Sequence, residues 1–186
     1  MFGDGAGHTG SSVTTASGAT LYRDGTKIAQ TDGTRKSSVD KPSGEAAYRL
    51  ELHAERGAPF TLSTRNDTVW TFRSGRTDGP VVLPLWTVRF SPDVDQCNAV
   101  RAGAVHAVPV AVTPQPDADV GTPASLAVEA SFDDGATWRR VPVVDGAAKF
   151  PHPRGSGFVS LRATAADSEG NTVTQTVVRA YRYGQP

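Results

Sequence analysis

Apolar and polar residues alternate along several short stretches of this chain. The clearest stretch is 46–55, where one side carries Tyr48, Leu50, Leu52 and Ala54 and the other carries Arg49, Glu51, His53 and Glu55. A period of two predicts a β-strand with one buried and one solvent-facing side. The pattern recurs at 67–73 and 85–90, so we expect a core that contains the large side chains Tyr48, Trp70, Phe72, Trp86 and Phe90.

The second half of the chain shows the same kind of pattern at closer spacing. Apolar residues alternate at 126–132 and 158–166, and a further strand is predicted at 172–181. Turn-forming residues separate these stretches at intervals of about 8–12 residues, which is typical of an immunoglobulin-like or fibronectin-type sandwich. The face of the last strand that points inward stays ambiguous, because Val177 and Val178 are adjacent.

Turn formers interrupt the alternation at 92–98, and we place a linker there. The sequence thus predicts an all-β protein with two tandem antiparallel β-sandwich domains. The first, 1–92, is expected to be jelly-roll-like, and the second, 93–186, immunoglobulin- or fibronectin-III-like. The Cys…Trp…Cys spacing of antibody domains is absent from the sequence.

Composition narrows the range of functions. The formal net charge of the 186-residue chain is zero, so no basic surplus predicts a nucleic-acid partner. The single cysteine, Cys97, excludes an intrachain disulfide and a cysteine-based zinc site. No apolar run of membrane length and no signal peptide is found in the sequence, so we expect no membrane insertion and a secretion signal encoded upstream.

Candidate catalytic residues are few. The histidines are His8, His53, His106 and His152, and none stands in a recognisable motif. His8 lies close to Ser11 and Ser12, but no motif carboxylate accompanies them, and no Gly-x-Ser-x-Gly segment is present in the sequence. We therefore expect a non-catalytic chain without a cofactor.

Two acidic turns are candidate calcium sites. The first contains Asp133 and Asp134, and the second contains Asp167 and Glu169. Oxygen-rich turns bind calcium. Asp and Gly are also what tight turns require for their own backbone hydrogen bonds, and Asx-type turns are the alternative interpretation.

Residues 131–138, Ser-Phe-Asp-Asp-Gly-Ala-Thr-Trp, match the pattern Ser-x-Asp-x-Gly-x-Thr-Trp. This pattern resembles the Asp-box of sialidase-type propellers and other secreted β domains. The resemblance implies that Asp133 braces a hairpin turn, Gly135 takes the strained backbone angle and Trp138 packs beneath it. A propeller would need several copies, and this sequence has one. We expect Asp167, Gly170 and Asn171 to be structural turn residues as well.

Exposed aromatic rings near the end of the chain could stack on sugars. Trp138, Tyr181 and Tyr183 are the candidates. The alternative is that Trp138 belongs to the hairpin and that the two tyrosines are core or interface residues.

A series of short motifs resembles a known family. In order they are Leu21-Tyr22-Arg23-Asp24-Gly25, Thr68-Val69-Trp70-Thr71-Phe72-Arg73-Ser74, Val88-Arg89-Phe90-Ser91-Pro92, the 131–138 segment, Phe158-Val159-Ser160-Leu161-Arg162-Ala163 and Asp167-Ser168-Glu169-Gly170-Asn171. The series is similar to the C-terminal extensions of large secreted subtilisin-like serine proteases (the S8 family) from actinobacteria such as Streptomyces. It covers nearly the whole chain and is strongest over 126–181.

The resemblance implies an extracellular parent serine endopeptidase whose catalytic domain lies upstream and is this chain's first partner. The family's catalytic motifs are missing here, so no catalytic residue is carried over. The expected role is to stabilise that enzyme or to dock it to protein substrate or cell envelope. The Asp-x-x-Gly-Asn turn at 167–171 also recurs in immunoglobulin-like repeats of bacterial adhesins and cell-wall enzymes. A carbohydrate- or cell-wall-binding module and a surface spacer are therefore alternatives.

Overall fold

The computed structural model describes residues 13–33 and 43–184, together with the backbone of 2–3 and 9–10. These residues form strands and turns, with no helix in the described part of the chain. The strands are β1 (Phe2–Gly3), β2 (Thr9–Gly10), β3 (Ala16–Arg23), β4 (Thr26–Asp32), β5 (Ala46–Glu55), β6 (Arg65–Ser74), β7 (Trp86–Phe90), β8 (Ala99–Val100), β9 (Val105–Pro114), β10 (Pro123–Ser131), β11 (Arg139–Val141), β12 (Val143–Val144), β13 (Ala147–Pro151), β14 (Gly157–Asp167) and β15 (Thr172–Tyr183).

Two sheets contain nearly all of these strands. The larger has nine strands in the order β11-β10-β14-β15-β6-β5-β3-β4, with β8 added beside β15. The smaller has four strands in the order β12-β13-β9-β7. Neighbours pair antiparallel except β8, which runs parallel to β15. The predicted all-β, antiparallel fold is confirmed.

The larger sheet continues through both predicted halves of the chain. β6 pairs with β15, so that Trp70 lies opposite Val173. Strand β7, which the sequence placed before the linker, pairs with β9 in the smaller sheet and sets Val88 opposite Val112. The two-domain division at 92–93 stays a prediction. In both sheets, a strand that precedes this position is hydrogen-bonded to a strand that follows it.

The main core lies between the two sheets. The smaller sheet contributes Val88, Val108 and Phe150, and the larger contributes Leu161 and Tyr181 among others. Burying a side chain of this size stabilises the fold by about 1.5–3 kcal/mol. The alternation predicted for 158–166 is confirmed, because Val159, Leu161, Ala163 and Ala165 are all buried.

A second, smaller hydrophobic cluster lies on one face of the β6-β5-β3-β4 part of the nine-stranded sheet. It consists of Ala46, Tyr48, Phe72 and Leu85, with Tyr48 and Phe72 stacked at 5.7 Å between ring centroids. The aromatic residues expected in one core are thus divided. Trp86 belongs to the main core, and Trp70 packs against both clusters.

An irregularity in β15 explains the ambiguous pattern around Val177 and Val178. Val159 pairs with Tyr181, whereas Leu161, only two residues further along β14, pairs with Val177. Extra residues in β15 therefore form a bulge, in which Arg179 has a positive φ of 56°. The bulge holds two extra residues, so Val173 before it and Tyr181 after it keep the same parity and both lie in the main core, whereas Val178 is buried outside both core clusters.

Candidate functional site

The 131–138 hairpin is held by its own side chains. Oδ1 of Asp133 accepts hydrogen bonds from the Ser131 hydroxyl at 2.7 Å and from the Thr137 backbone N–H at 2.8 Å. Oδ2 accepts the Thr137 hydroxyl at 2.6 Å. The bonds from Thr137, and after them that from Ser131, lower the pKa of Asp133 to about 2. The carboxylate is therefore ionised at any ordinary pH and bound by its own turn.

The turn places residue 135 in a backbone conformation that favours glycine. The φ of Gly135 is +89°, and a Cβ placed there would lie 3.2 Å from Cζ2 of Trp138. The indole thus packs beneath the turn. Its ring is covered by the guanidinium of Arg162, 4.5 Å from the ring centroid, and Arg162 is in turn bonded to Glu129 at 2.8 Å. Trp138 is only partly exposed.

The neighbouring carboxylate, Asp134, has a different partner. Its two oxygens accept hydrogen bonds from Nε and from a terminal nitrogen of Arg179, at 2.9 and 2.6 Å. This paired bond lowers the pKa of Asp134. The same guanidinium lies 4.4 Å from the ring centroid of Phe158. Asp134 therefore fastens the hairpin to the bulge of β15.

The 167–171 turn has a buried acid at its first position. Asp167 is only 4% exposed. Its Oδ1 accepts the backbone N–H groups of Glu169 and Asn171, both at 2.9 Å, and its Oδ2 accepts Nδ2 of Asn171 at 2.8 Å. Burial works to raise the pKa of Asp167, but the bonds from Asn171 and Trp86 outweigh it and the pKa is lowered.

One further bond to Asp167 crosses between the sheets. Nε1 of Trp86, in the smaller sheet, donates to Oδ2 of Asp167 at 3.2 Å. A second indole bond crosses nearby, since Nε1 of Trp70, in the larger sheet, donates to the Trp86 carbonyl oxygen at 2.7 Å. The 167–171 turn is therefore part of the joint between the two sheets.

The four candidate calcium ligands do not converge. Pro123 pairs with Asp167 at one end of the β10–β14 ladder, and Ser131, next to the other turn, pairs with Ser160 at its opposite end. At about 3.3 Å per residue, the two turns are roughly 25 Å apart. Within the part of the chain that the structure describes, no group of three or more His, Cys, Asp or Glu side chains is arranged to hold a metal ion.

The predicted stacking residues occupy different environments. Tyr181 and Tyr183 are buried, at 1% and 8% exposure, so neither presents a ring face to solvent. The proposed three-residue platform is corrected to Trp138 alone, with Arg162 already over its ring.

The histidines also separate. His8, Ser11 and Ser12 lie outside the described residues. His53 is exposed and bonds through Nδ1 to Oδ1 of Asp67 at 2.5 Å, with Glu55 on its other side at 3.4 Å. His53, Glu55 and Asp67 all lie on the outer side of β5 and β6.

His152, by contrast, is buried in an aromatic cluster that the sequence did not reveal. It is 3% exposed, and its Nε2 is 2.8 Å from the Tyr181 hydroxyl. The rings of Phe150 and His106 lie 4.9 and 4.7 Å from it, between centroids. Burial, and secondarily the charge of His106, lowers the pKa of His152 to about 4, so the ring is neutral at pH 7.

A cleft opens beside this cluster. It has a volume of about 430 Å³ and lies between the 131–139 hairpin and the 151–153 segment. Its apolar walls are Phe132, Pro151 and Pro153, and its polar residues include Asp133, Thr137, Arg139 and His152. The sequence signal for it was partial, since Ser131, Asp133 and Thr137 are motif positions of the 131–138 segment, whereas Arg139, Pro151, His152 and Pro153 belong to no motif.

Comparisons with family models, with curated proteins and with solved structures found no match for this chain. No helix in the described residues is long and apolar enough to cross a bilayer.

Proposed function

We propose that this chain is a non-catalytic accessory region of a secreted subtilisin-like serine protease, which stabilises the enzyme or docks it to protein substrate or cell envelope. The ordered motif series over nearly the whole chain supports the family. An upstream catalytic domain of the same chain is then its first partner, and secretion follows from the parent enzyme.

One structural observation carries the accessory role. The carboxylates of both acidic turns are already engaged by hydrogen bonds inside the protein. Asp133 is bound within its hairpin, and Asp167 binds its own turn and Trp86 of the other sheet. Side chains used in this way brace a scaffold, which is what a stabilising or docking domain requires.

The test is an assay of the purified chain against casein. We expect a folded protein, shown by its β-type circular dichroism, and no hydrolysis. Casein hydrolysis that a serine-directed inhibitor abolishes would contradict the proposal. The upstream coding sequence supplies an independent check, because the proposal expects a subtilase domain with its Asp, His and Ser motifs there.

A carbohydrate- or cell-wall-binding role is the second candidate, favoured by the cleft beside His152. Retention of the chain on insoluble chitin, cellulose or peptidoglycan is its direct assay. Absence of retention on all three would count against it and would leave docking to protein or stabilisation of the enzyme.

A further inference from the structure

The cleft between residues 131–139 and 151–153 lies where the two sheets come apart at their edges. β11 is the last strand of the larger sheet, and β13, which ends at Pro151, lies next to the last strand of the smaller one. Its volume of about 430 Å³ falls within the about 300–1,000 Å³ that is typical of small-molecule sites.

The register of β11 places the side chain of Arg139 at this cleft. Arg139 pairs with Ala130, and Ala130 is buried on the inner face of its strand, so Arg139 shares that face. The next residue, Arg140, pairs with Glu129 on the outer face. Arg139 is exposed and forms no ion pair with another described residue. Its donors are therefore available to a ligand.

The other polar groups of the cleft supply acceptors and a fixed base. Asp133 is exposed on the rim, where its carboxylate can accept further donors. His152 lines the cleft from within the aromatic cluster, and its Nδ1 has no hydrogen-bond partner although it is buried. Phe132 packs edge-on against Tyr183 and Phe150, which holds the apolar wall in place before any ligand arrives.

The charges of the cleft select the ligand class. One carboxylate and one guanidinium give a formal charge of zero, and they stand beside apolar walls of one aromatic ring and two prolines. This combination suits a neutral molecule with adjacent hydroxyl groups and an apolar face. Peptide addition to the sheet edge is disfavoured, because β11 and β12 offer only three and two residues for pairing.

We propose that this cleft binds a single neutral sugar residue, with Asp133 and Arg139 bonding to adjacent hydroxyl groups and the apolar walls covering one face of the ring. The inference deepens the docking part of the proposed function by naming its site and ligand class. A cleft of this size holds little more than one sugar ring. A glycan would therefore bind through one of its units.

The test is a titration of the whole chain, followed by amide NMR, with glucose, galactose, mannose and N-acetylglucosamine in separate arms and a casein peptide digest in another. We expect at least one sugar to bind with a Kd on the order of 1 mM and to shift the amide signals of Gly135, Thr137 and His152. Arg139→Ala should raise that Kd by about ten-fold. Arg140→Ala removes the same charge from the outer face of the same strand and should leave the Kd unchanged.

Three results would overturn the inference: no shift with any of the sugars, an equal loss in the two arginine variants, or shifts at these amides with the peptides alone. Thermal melts of both variants establish that they are folded. The casein assay is independent of this titration, so loss of the sugar site and loss of the accessory role are separately visible.

Discussion

The two acidic turns use the same residue types for different purposes. Asp133 is exposed, and its bonds stay within a surface hairpin. Asp167 is buried, and its bonds reach from the end of β14 to Trp86 in the other sheet. The turn at 131–138 is therefore stabilised only locally, whereas the turn at 167–171 connects the two sheets. The difference arises because Asp167 is buried and Asp133 is exposed.

The largest effect is expected from Asp167→Ala. Removing the carboxylate leaves the buried donors of Trp86 and Asn171 without a partner, so the free energy of unfolding should fall by about 4 kcal/mol. Urea denaturation followed by tryptophan fluorescence measures it. Asp133→Ala is the matched variant, and its loss should be clearly smaller, because water can replace the lost bonds at an exposed turn. Equal losses would remove the distinction between the turns.

Acid should affect the two ends of the molecule in different pH ranges. The folded pKa of His152, about 4, is below the unfolded value near 6.5, so the unfolded state binds more protons between these values. Stability from the neutral ring is complete above about pH 6.5 and falls by about 3 kcal/mol as the pH drops to 4. Asp167, whose pKa is lowered from 3.8, loses its contribution only below that range.

Urea midpoints measured from pH 7 to pH 4 check the histidine window. His152→Phe should be less stable at pH 7, because the Tyr181 hydroxyl loses its partner, yet it should show a flatter pH dependence. An unchanged slope in this variant would assign the acid sensitivity to other groups.

A glycine pair sharpens the comparison with a smaller effect. Gly135 and Gly170 have φ angles of +89° and +86°, so an alanine at either is strained by about 1 kcal/mol. A Cβ at 135 also meets Trp138 at 3.2 Å, whereas at 170 nothing lies within 4 Å. Gly135→Ala should therefore lower the melting temperature further than Gly170→Ala. The reverse order would show that Trp138 does not support the hairpin.

The smallest effect is expected from calcium. Because neither turn brings together three or more acidic or histidine side chains among the described residues, adding calcium or a chelator should leave the melting temperature unchanged. A rise with calcium concentration would show binding to the folded state and would return the acidic turns to the list of metal sites.

Local pattern in the sequence was enough to predict the strands but not their partners. The alternation at 46–55 placed Tyr48 inward, and the Asp24-Gly25 pair, with φ of 47° and 80°, forms the hairpin turn between β3 and β4 that an Asp-Gly pair favours. The pairing of Trp70 with Val173 joins residues about a hundred positions apart, and no short-range signal encodes that register.

The candidate site was harder to predict for a related reason. Asp167 has the sequence context of an ordinary exposed turn, and its burial depends on Trp86 arriving from the other sheet. His152 stands between two prolines without a motif, and its partner Tyr181 lies 29 positions further along the chain, on β15 of the larger sheet. Both depend on tertiary packing, which the spacing of residues does not report.

The most direct measurement of the central claim, that the Asp167 turn joins the two sheets into one unit, is calorimetry of the wild-type chain and of Asp167→Ala. The account predicts a single transition in each, with equal calorimetric and van't Hoff enthalpies and a lower melting temperature in the variant. Two transitions, of which the substitution moves only one, would contradict it.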